Sequence, residues 1–275
     1  MHSPSRRTSK VNLHPLEQVQ IHFRGAPARC GAVAVVALAL TSVGCSTGPA
    51  ASAPTGPRPV TVFAAASLTA AFTEIAELAP SLDVTLNFDG SPTLVDQITS
   101  GAPADVLATA DEASMERATE AAIVVPDPTI FATNSGVLIV PKGNPAQVSG
   151  VDASLDGTRL VVCAPAVPCG ATALEIAEAA GVTLKPVSEE QKVTDVRGKV
   201  SSGEADAGIV FATDAKAAGD AVETIAVDPE KKLATRYPMA IVTDAPHAEA
   251  ARAFIDLVLS DRGQAVLASY GFGTP

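Results

Sequence analysis

The stretch Thr61-Val-Phe-Ala-Ala-Ala-Ser-Leu-Thr-Ala-Ala-Phe72 changes its period in the middle. From Val60 to Ala65 the run is apolar with no helical repeat, and from Leu68 the apolar residues fall at Ala71, Phe72 and Ile75, spaced i, i+3, i+4, i+7. That pattern is strand, tight turn, helix. Ser67 stands just before the first periodic residue, where an N-cap belongs. A helix start also offers free N–H groups and a partial positive charge that suit an anion. Ser67 is therefore either a cap alone or a cap that also meets a ligand.

Upstream, the chain of 275 residues opens with a segment unlike a folded domain. Arg6, Arg7, Lys10, Arg24 and Arg29 precede an uncharged apolar run, Ala32 to Val43, that leads into Gly44-Cys45. A basic region, a short apolar region and a small-residue end make a signal peptide over residues 1–45. The run is too short for a permanent membrane span. Gly44-Cys45 resembles a bacterial lipobox, in which Cys45 is lipidated. Ser42 stands where such a box prefers Leu or Val, so a plain secretory signal is the alternative. Residues 46–59, rich in Ser, Thr, Gly, Pro and Ala, read as a flexible tether.

Removing the leader takes five Lys/Arg and one acid, Glu17, from the chain's 19 and 30, which leaves 14 basic and 29 acidic side chains and a net charge of −15. No Lys/Arg run supplies a basic patch, which argues against nucleic acid or anionic lipid as a partner. Cys163, Cys169 and His247 are the remaining cysteines and histidine, too few and too scattered for a closed zinc site. In an exported protein Cys163 and Cys169 read as a disulfide closing a seven-residue loop, with free thiols as the alternative. With no Trp and only Tyr237 and Tyr270, the chain lacks the aromatics of a sugar-stacking or ammonium-caging site.

Beyond the opening unit, strands and helices alternate. A strand at Val84–Phe88 is followed by Gly90-Ser91-Pro92, with Ser91 a second N-cap candidate before a helix to Thr99. A strand at 104–109 and a helix over 112–122 complete a half of βαβ units with a parallel sheet. A second half follows. It has strands near 137–140, 160–163, 207–211 and 222–227, a helix from about Ala171 to Ala180 stopped by Gly181, and a helix capped by Thr194-Asp195 and running to Ser201. Tyr237–Val242 reads as a strand returning to the first half, and helices over 246–259 and 261–268 close the chain.

Val62-Phe-Ala-Ala-Ala-Ser-Leu68, Gly101-Ala-Pro-Ala-Asp-Val106, Asp195-Val-Arg197, Gly208-Ile-Val-Phe211, Asp214-Ala215, Tyr237-Pro238 and Tyr270-Gly-Phe272 follow one another in an order and spacing that resembles the molybdate-binding proteins of bacterial ABC importers, the ModA family. The resemblance covers about 60–275. It implies an α/β, two-lobed type II periplasmic-binding fold with an oxyanion cleft between the lobes. Lobe 1 would be 60–133 plus 237–275 and lobe 2 134–236, with crossovers near Thr133-Asn134 and Arg236-Tyr237. It further implies a monomeric, extracytoplasmic protein that captures molybdate or tungstate and delivers it to permease and ATPase subunits, with no cofactor of its own. The ligand contacts it implies fall on the hydroxyl and N–H of Ser67 and Ser91, and on the backbone N–H of Cys169 and Val196. A tyrosine hydroxyl of the family falls on Phe211.

Such a set has a physical logic. Molybdate is fully ionised at neutral pH, so all its oxygens accept. Neutral donors at helix starts match it without burying a Lys or Arg, which would be costly in an empty cleft. A protonated oxyanion needs an acceptor, and lacking one costs about 1–3 kcal/mol. Sulfate, equal in charge, remains the alternative ligand. Phe211 is either a missing donor, with Thr213 or a water in its place, or plain strand core. Asp195 reads as a cap turned away from the ligand. A serine hydrolase is the rival of another class, but Ala65-Ala-Ser-Leu-Thr69 is not G-x-S-x-G, His247 is the one histidine left as base, and no phosphate-cradling G-x-x-x-x-G-K-[ST] occurs. The chain therefore reads as no enzyme.

Overall fold

The computed structural model describes residues 56–225, 227 and 234–275; the expected signal segment, Cys45 and most of the tether lie outside the described residues. Strand β1 (Arg58–Ala65) starts two residues before Val60. It lies between β2 (Leu82–Asp89) and β3 (Val106–Ala108), parallel to both. Between these strands run α1 (Thr69–Glu77), α2 (Ser91–Thr99) and, after β3, α3 (Glu112–Glu120). The apolar face expected of α1 is fully used, since Ala71, Phe72 and Ile75 are buried. Each such Phe or Ile removed from water contributes about 1.5–3 kcal/mol.

The 13-residue strand β4 (Thr129–Pro141) joins the two halves. Its first part pairs antiparallel with β9 (Ala234–Ile241), from Thr129 opposite Met239 to Ser135 opposite Ala234. From Gly136 to Ile139 it pairs instead with β7 (Ala207–Phe211). Its other edge carries β8 (Val222–Ile225). Beyond β7 lie β5 (Leu160–Cys163) and β6 (Ser188–Glu190), parallel to one another. Among the described residues the strands thus run β2-β1-β3-β9-β4-β7-β5-β6, with β8 beside β4. The polar, punctuated stretch Phe131–Ser135, which has no strand signal, is strand all the same, because it is one of the two crossing segments.

The second half carries α4 (Pro168–Ala180), α5 (Val193–Ser201) and α6 (Ala212–Ala218), and the chain closes with α7 (Ala248–Leu259) and α8 (Asp261–Ser269). Helix α4 starts three residues earlier than its apolar spacing suggests, and Gly181 ends it in the left-handed conformation at φ 70°. Side by side in each half, strands end where helices begin: β1 and β2 lead into α1 and α2, β5 and β6 into α4 and α5. Ligands of open α/β sheets bind outside such carboxyl ends. A chain of tilted and edge-to-face rings, Phe254–Phe72–Phe131–Tyr237–Phe211, with centroids 5.6–6.3 Å apart, runs from the first-half core to the end of β7.

Candidate functional site

The carboxyl ends of both halves meet around a cavity of about 20 Å³. That is room for little more than one water-sized group. Ser67, Asp89, Gly90, Ser91 and Ala110 wall it from the first half, and Val167–Cys169, Gln191–Val193 and Phe211 from the second. A larger hollow of about 390 Å³ opens beside α4. Its walls offer Leu174, Val182 and the acids Glu178 and Glu189, which suit no anion, so the chemistry points to the smaller cavity.

Ser67 sits in a single 3-10 turn, Ala66–Leu68, between β1 and α1. It is not the N-cap that the spacing predicts. The strand ends at Ala65 and the turn starts one residue before the serine, so its side chain is released from capping. Its hydroxyl instead lies 3.0 Å from the hydroxyl of Tyr237. Ser91 is likewise inside its helix, at the first position of α2, with Gly90 as the N-cap and Pro92 next. Its buried Oγ accepts the N–H of Ala110 at 3.0 Å.

Behind Ser67 lies a polar cluster that the sequence reading did not place in the site. Tyr237 is fully buried and its hydroxyl accepts from Asn134 Nδ2 at 3.2 Å. The same nitrogen donates to Thr213 Oγ1 at 2.8 Å, and Asn134 Oδ1 accepts the N–H of Ser135 at 3.0 Å. Burial pushes the Tyr237 phenol far up, so it stays protonated. Next to Thr213, buried Asp214 has Oδ1 3.6 Å from Arg197 Nη1 and an Oδ2 with no hydrogen-bond partner among the described residues. Burial raises its carboxyl to about 7 against the pull of Arg197, which keeps it partly neutral near neutral pH. The sequence carries two signals for this cluster: Asn134 stands at an expected crossover, and Tyr237 in a matched pair with Pro238.

On the second wall, Cys163 and Cys169 form a disulfide, with Cα atoms 5.6 Å apart, that ties the end of β5 to the first turn of α4. Cys169 stands second in α4 after Val167 and Pro168. Its N–H is among the first-turn groups a helix leaves unpaired. Val196 is not brought to the cavity. Helix α5 begins at Val193, so Val196 is its fourth residue, with its side chain completely buried against Gly208 while its N–H still belongs to the first turn. Lys192, the N-cap, and Val193 line the cavity in its stead. For the same reason Asp195 is a first-turn residue and not the cap. Phe211 lines the cavity with its ring 6.0 Å from that of Tyr237.

The two walls touch. Lys192 Nζ is 3.2 Å from Asp89 Oδ1, which also accepts the N–H of Gly90 at 2.8 Å. A Cβ on Gly90 would lie 2.3 Å from the carbonyl oxygen of Gln191. The pairing engages Asp89 Oδ1 twice and offsets the carboxylate charge at the cavity wall with the Lys192 ammonium. No group of three or more His, Cys, Asp or Glu that could hold a metal ion exists among the described residues. His247 Nδ1 and its backbone N–H meet Asp105, which also takes the N–H of Thr61. Thr61 lies four residues, about 13 Å at strand rise, before the end of β1 at Ala65, beyond which Ser67 sits, so histidine and serine stand at opposite ends of the strand and do not act as a pair.

Residues 60–273 match the family of bacterial extracellular solute-binding proteins. The molybdate-binding protein ModA of Mycobacterium tuberculosis H37Rv is 39% identical over 242 residues, which is 85% of this chain and 93% of that protein. The chain belongs to the ModA family of bacterial extracellular solute-binding proteins. ModA proteins have the two-lobed type II periplasmic-binding fold, and the solved structures agree. The periplasmic molybdate-binding protein of Azotobacter vinelandii superposes with a TM-score of 0.70 at 20% identity, over 78% of this chain and 99% of that one. The sulfate-binding protein SubI of Mycobacterium tuberculosis superposes at 0.63 with 21% identity, over 78% and 86%. The fold is thus shared by a molybdate-binding and a sulfate-binding protein, and does not by itself choose between the two oxyanions.

Proposed function

We propose that this protein is the extracytoplasmic substrate-binding component of an ABC importer. It captures molybdate, or the near-identical tungstate, and hands it to a permease driven by a separate ATPase. The observation that carries this reading is the lining of the small cavity: Ser67, hydrogen-bonded to Tyr237, and Ser91, which accepts the N–H of Ala110, share it with Cys169 at the start of α4, where a helix leaves N–H groups unpaired. Such a surface offers donors to a small, fully ionised oxyanion. The contacts we assign are Ser67, Ser91 and the N–H of Cys169, with the start of α5 at Lys192–Val193 in place of the N–H of Val196. The protein acts by binding, not catalysis.

The lobes would be 60–133 with 237–275, and 134–236, hinged where β4 and β9 cross. The cavity as it stands is too small to admit an anion from outside, so entry requires the walls to part. The exported chain would be a monomer held to the outer face of the membrane by a lipid on Cys45. Among the described residues no helix is long and apolar enough to cross a membrane. Loss of acyl labelling in Cys45→Ser would establish the anchor, and unchanged labelling would remove it.

Titration calorimetry with molybdate, tungstate, sulfate and phosphate tests the main reading. A five-atom anion at the ligand-efficiency limit of about −1.5 kcal/mol per atom reaches roughly micromolar affinity. Binding of molybdate and tungstate alone supports the proposal. Equal binding of sulfate would make this a general oxyanion protein, and no binding of any of the four would overturn it.

A further inference from the structure

We infer that Tyr237 and Asn134 are positioning residues that fix which way the proton of Ser67 points. This rests on the oxyanion reading above and explains how the site selects fully deprotonated anions. Asn134 Oδ1 accepts from the Ser135 N–H, so the other end of the amide is the NH₂ group. Both its hydrogens are committed, one to Thr213 Oγ1 and one to the Tyr237 oxygen. Tyr237 therefore receives a proton from Asn134 and cannot return its own to that nitrogen. Its hydroxyl has one other partner among the described residues, Ser67 Oγ at 3.0 Å. A buried hydroxyl left without an acceptor is costly, so Tyr237 donates and Ser67 accepts.

The serine's own proton is then left for the cavity that Ser67 lines. Ser91 reaches the same state by another route, since its Oγ accepts the N–H of Ala110. Both hydroxyls of the first wall are thereby set as donors toward the anion. An anion carrying its own proton would find at these hydroxyls only the second lone pair of an oxygen that already accepts one bond from behind, a poorer acceptor than a free one.

A double-mutant cycle of Tyr237→Phe and Ser67→Ala, read by calorimetry in mildly alkaline buffer, tests this. Molybdate and hydrogen phosphate then carry equal charge, so their affinity ratio isolates the protonation of the ligand. Tyr237→Phe keeps the buried ring and should weaken molybdate by roughly 3- to 10-fold while leaving hydrogen phosphate unchanged or tighter. In the Ser67→Ala background it should have less than about a twofold further effect, because the tyrosine acts through the serine. Asn134→Asp is the second variant. It replaces the donor by an acceptor, draws the tyrosine proton away from Ser67, and should narrow the ratio further. Equal weakening of both anions, full additivity with Ser67→Ala, or wild-type ratios in both variants would overturn the assignment while molybdate binding by the wild type stands. If the wild type binds none of these anions, the functional reading itself fails and the inference with it.

Discussion

The two walls of the cavity are built from different materials. The first presents side-chain hydroxyls, Ser67 and Ser91, each fixed from behind by a long-range partner: Tyr237, 170 residues away, and the N–H of Ala110. The second presents helix starts, a disulfide and a phenyl ring, with donors that belong to the backbone. Side-chain donors can be lost by one substitution, whereas backbone donors can only be moved. On the proposed reading, recognition would be concentrated on the first wall, while the second would set how closely the site shuts.

Removing the hydroxyls should have the largest effect on affinity. Ser67→Ala and Ser91→Ala should each weaken molybdate by about 1.5–3 kcal/mol, the worth of a hydrogen bond to a charged group. Both should also lose stability. Ser91→Ala strips the buried Ala110 N–H of its acceptor and Ser67→Ala strips the buried Tyr237 hydroxyl of its own, so each should cost about 1–3 kcal/mol in urea unfolding. If both variants bind like the wild type, recognition is not on the first wall.

Gly90→Ala attacks the contact between the walls. The new methyl would meet the Gln191 carbonyl at 2.3 Å, a backbone atom that cannot swing aside. Gly90 has an ordinary extended backbone, φ −62° and ψ 139°, so alanine fits wherever the walls stand apart. The expected result is a loss of about 1–3 kcal/mol in molybdate affinity, the usual cost of overpacking, with an unchanged melting temperature of the ligand-free protein. A parallel fall in that melting temperature would mean the contact belongs to the fold and not to closure.

The disulfide tests whether the second wall must be stiff. Cys163→Ser with Cys169→Ser should lower unfolding stability by about 2 kcal/mol, from the chain entropy of a seven-residue loop. Affinity should fall by less, through the added cost of ordering the start of α4 on binding. Unchanged affinity beside lowered stability would confine the bridge to the fold.

The same contrast explains what could be read from the sequence. The β1–turn–α1 unit, the α/β alternation and the return strand through Tyr237 are local patterns of apolar spacing, and they stand in the structure. Helix α6 and strand β6 were missed because one is seven residues directly after a strand and the other is Ser188-Glu-Glu190, polar and too short to show a period. The three expected caps, Ser67, Ser91 and Asp195, lie inside their helical turns, because extended residues such as Ala65, Gly90 and Lys192 cap without a side-chain bond. The partners that make the site were illegible for a different reason. Tyr237 behind Ser67 and Lys192 against Asp89 are pairings across the chain, and no spacing announces them.

Phe211 is where the two walls could be made more alike. Its ring is almost fully buried, lines the cavity and leans edge-on against Tyr237. Phe211→Tyr would add a hydroxyl on the side that otherwise offers only backbone donors, where family resemblance expects one. If the ring edge faces the anion, molybdate should tighten by about 0.5–1.5 kcal/mol, the net worth of an added hydrogen bond, with sulfate gaining equally because it accepts in the same way. The cavity is small, however, and an added oxygen also takes space. Molybdate binding that weakens while the smaller sulfate holds would show that Phe211 acts through size. The second wall would then discriminate by volume and the first by proton direction, a division of labour that calorimetry with the two anions on this single variant can separate.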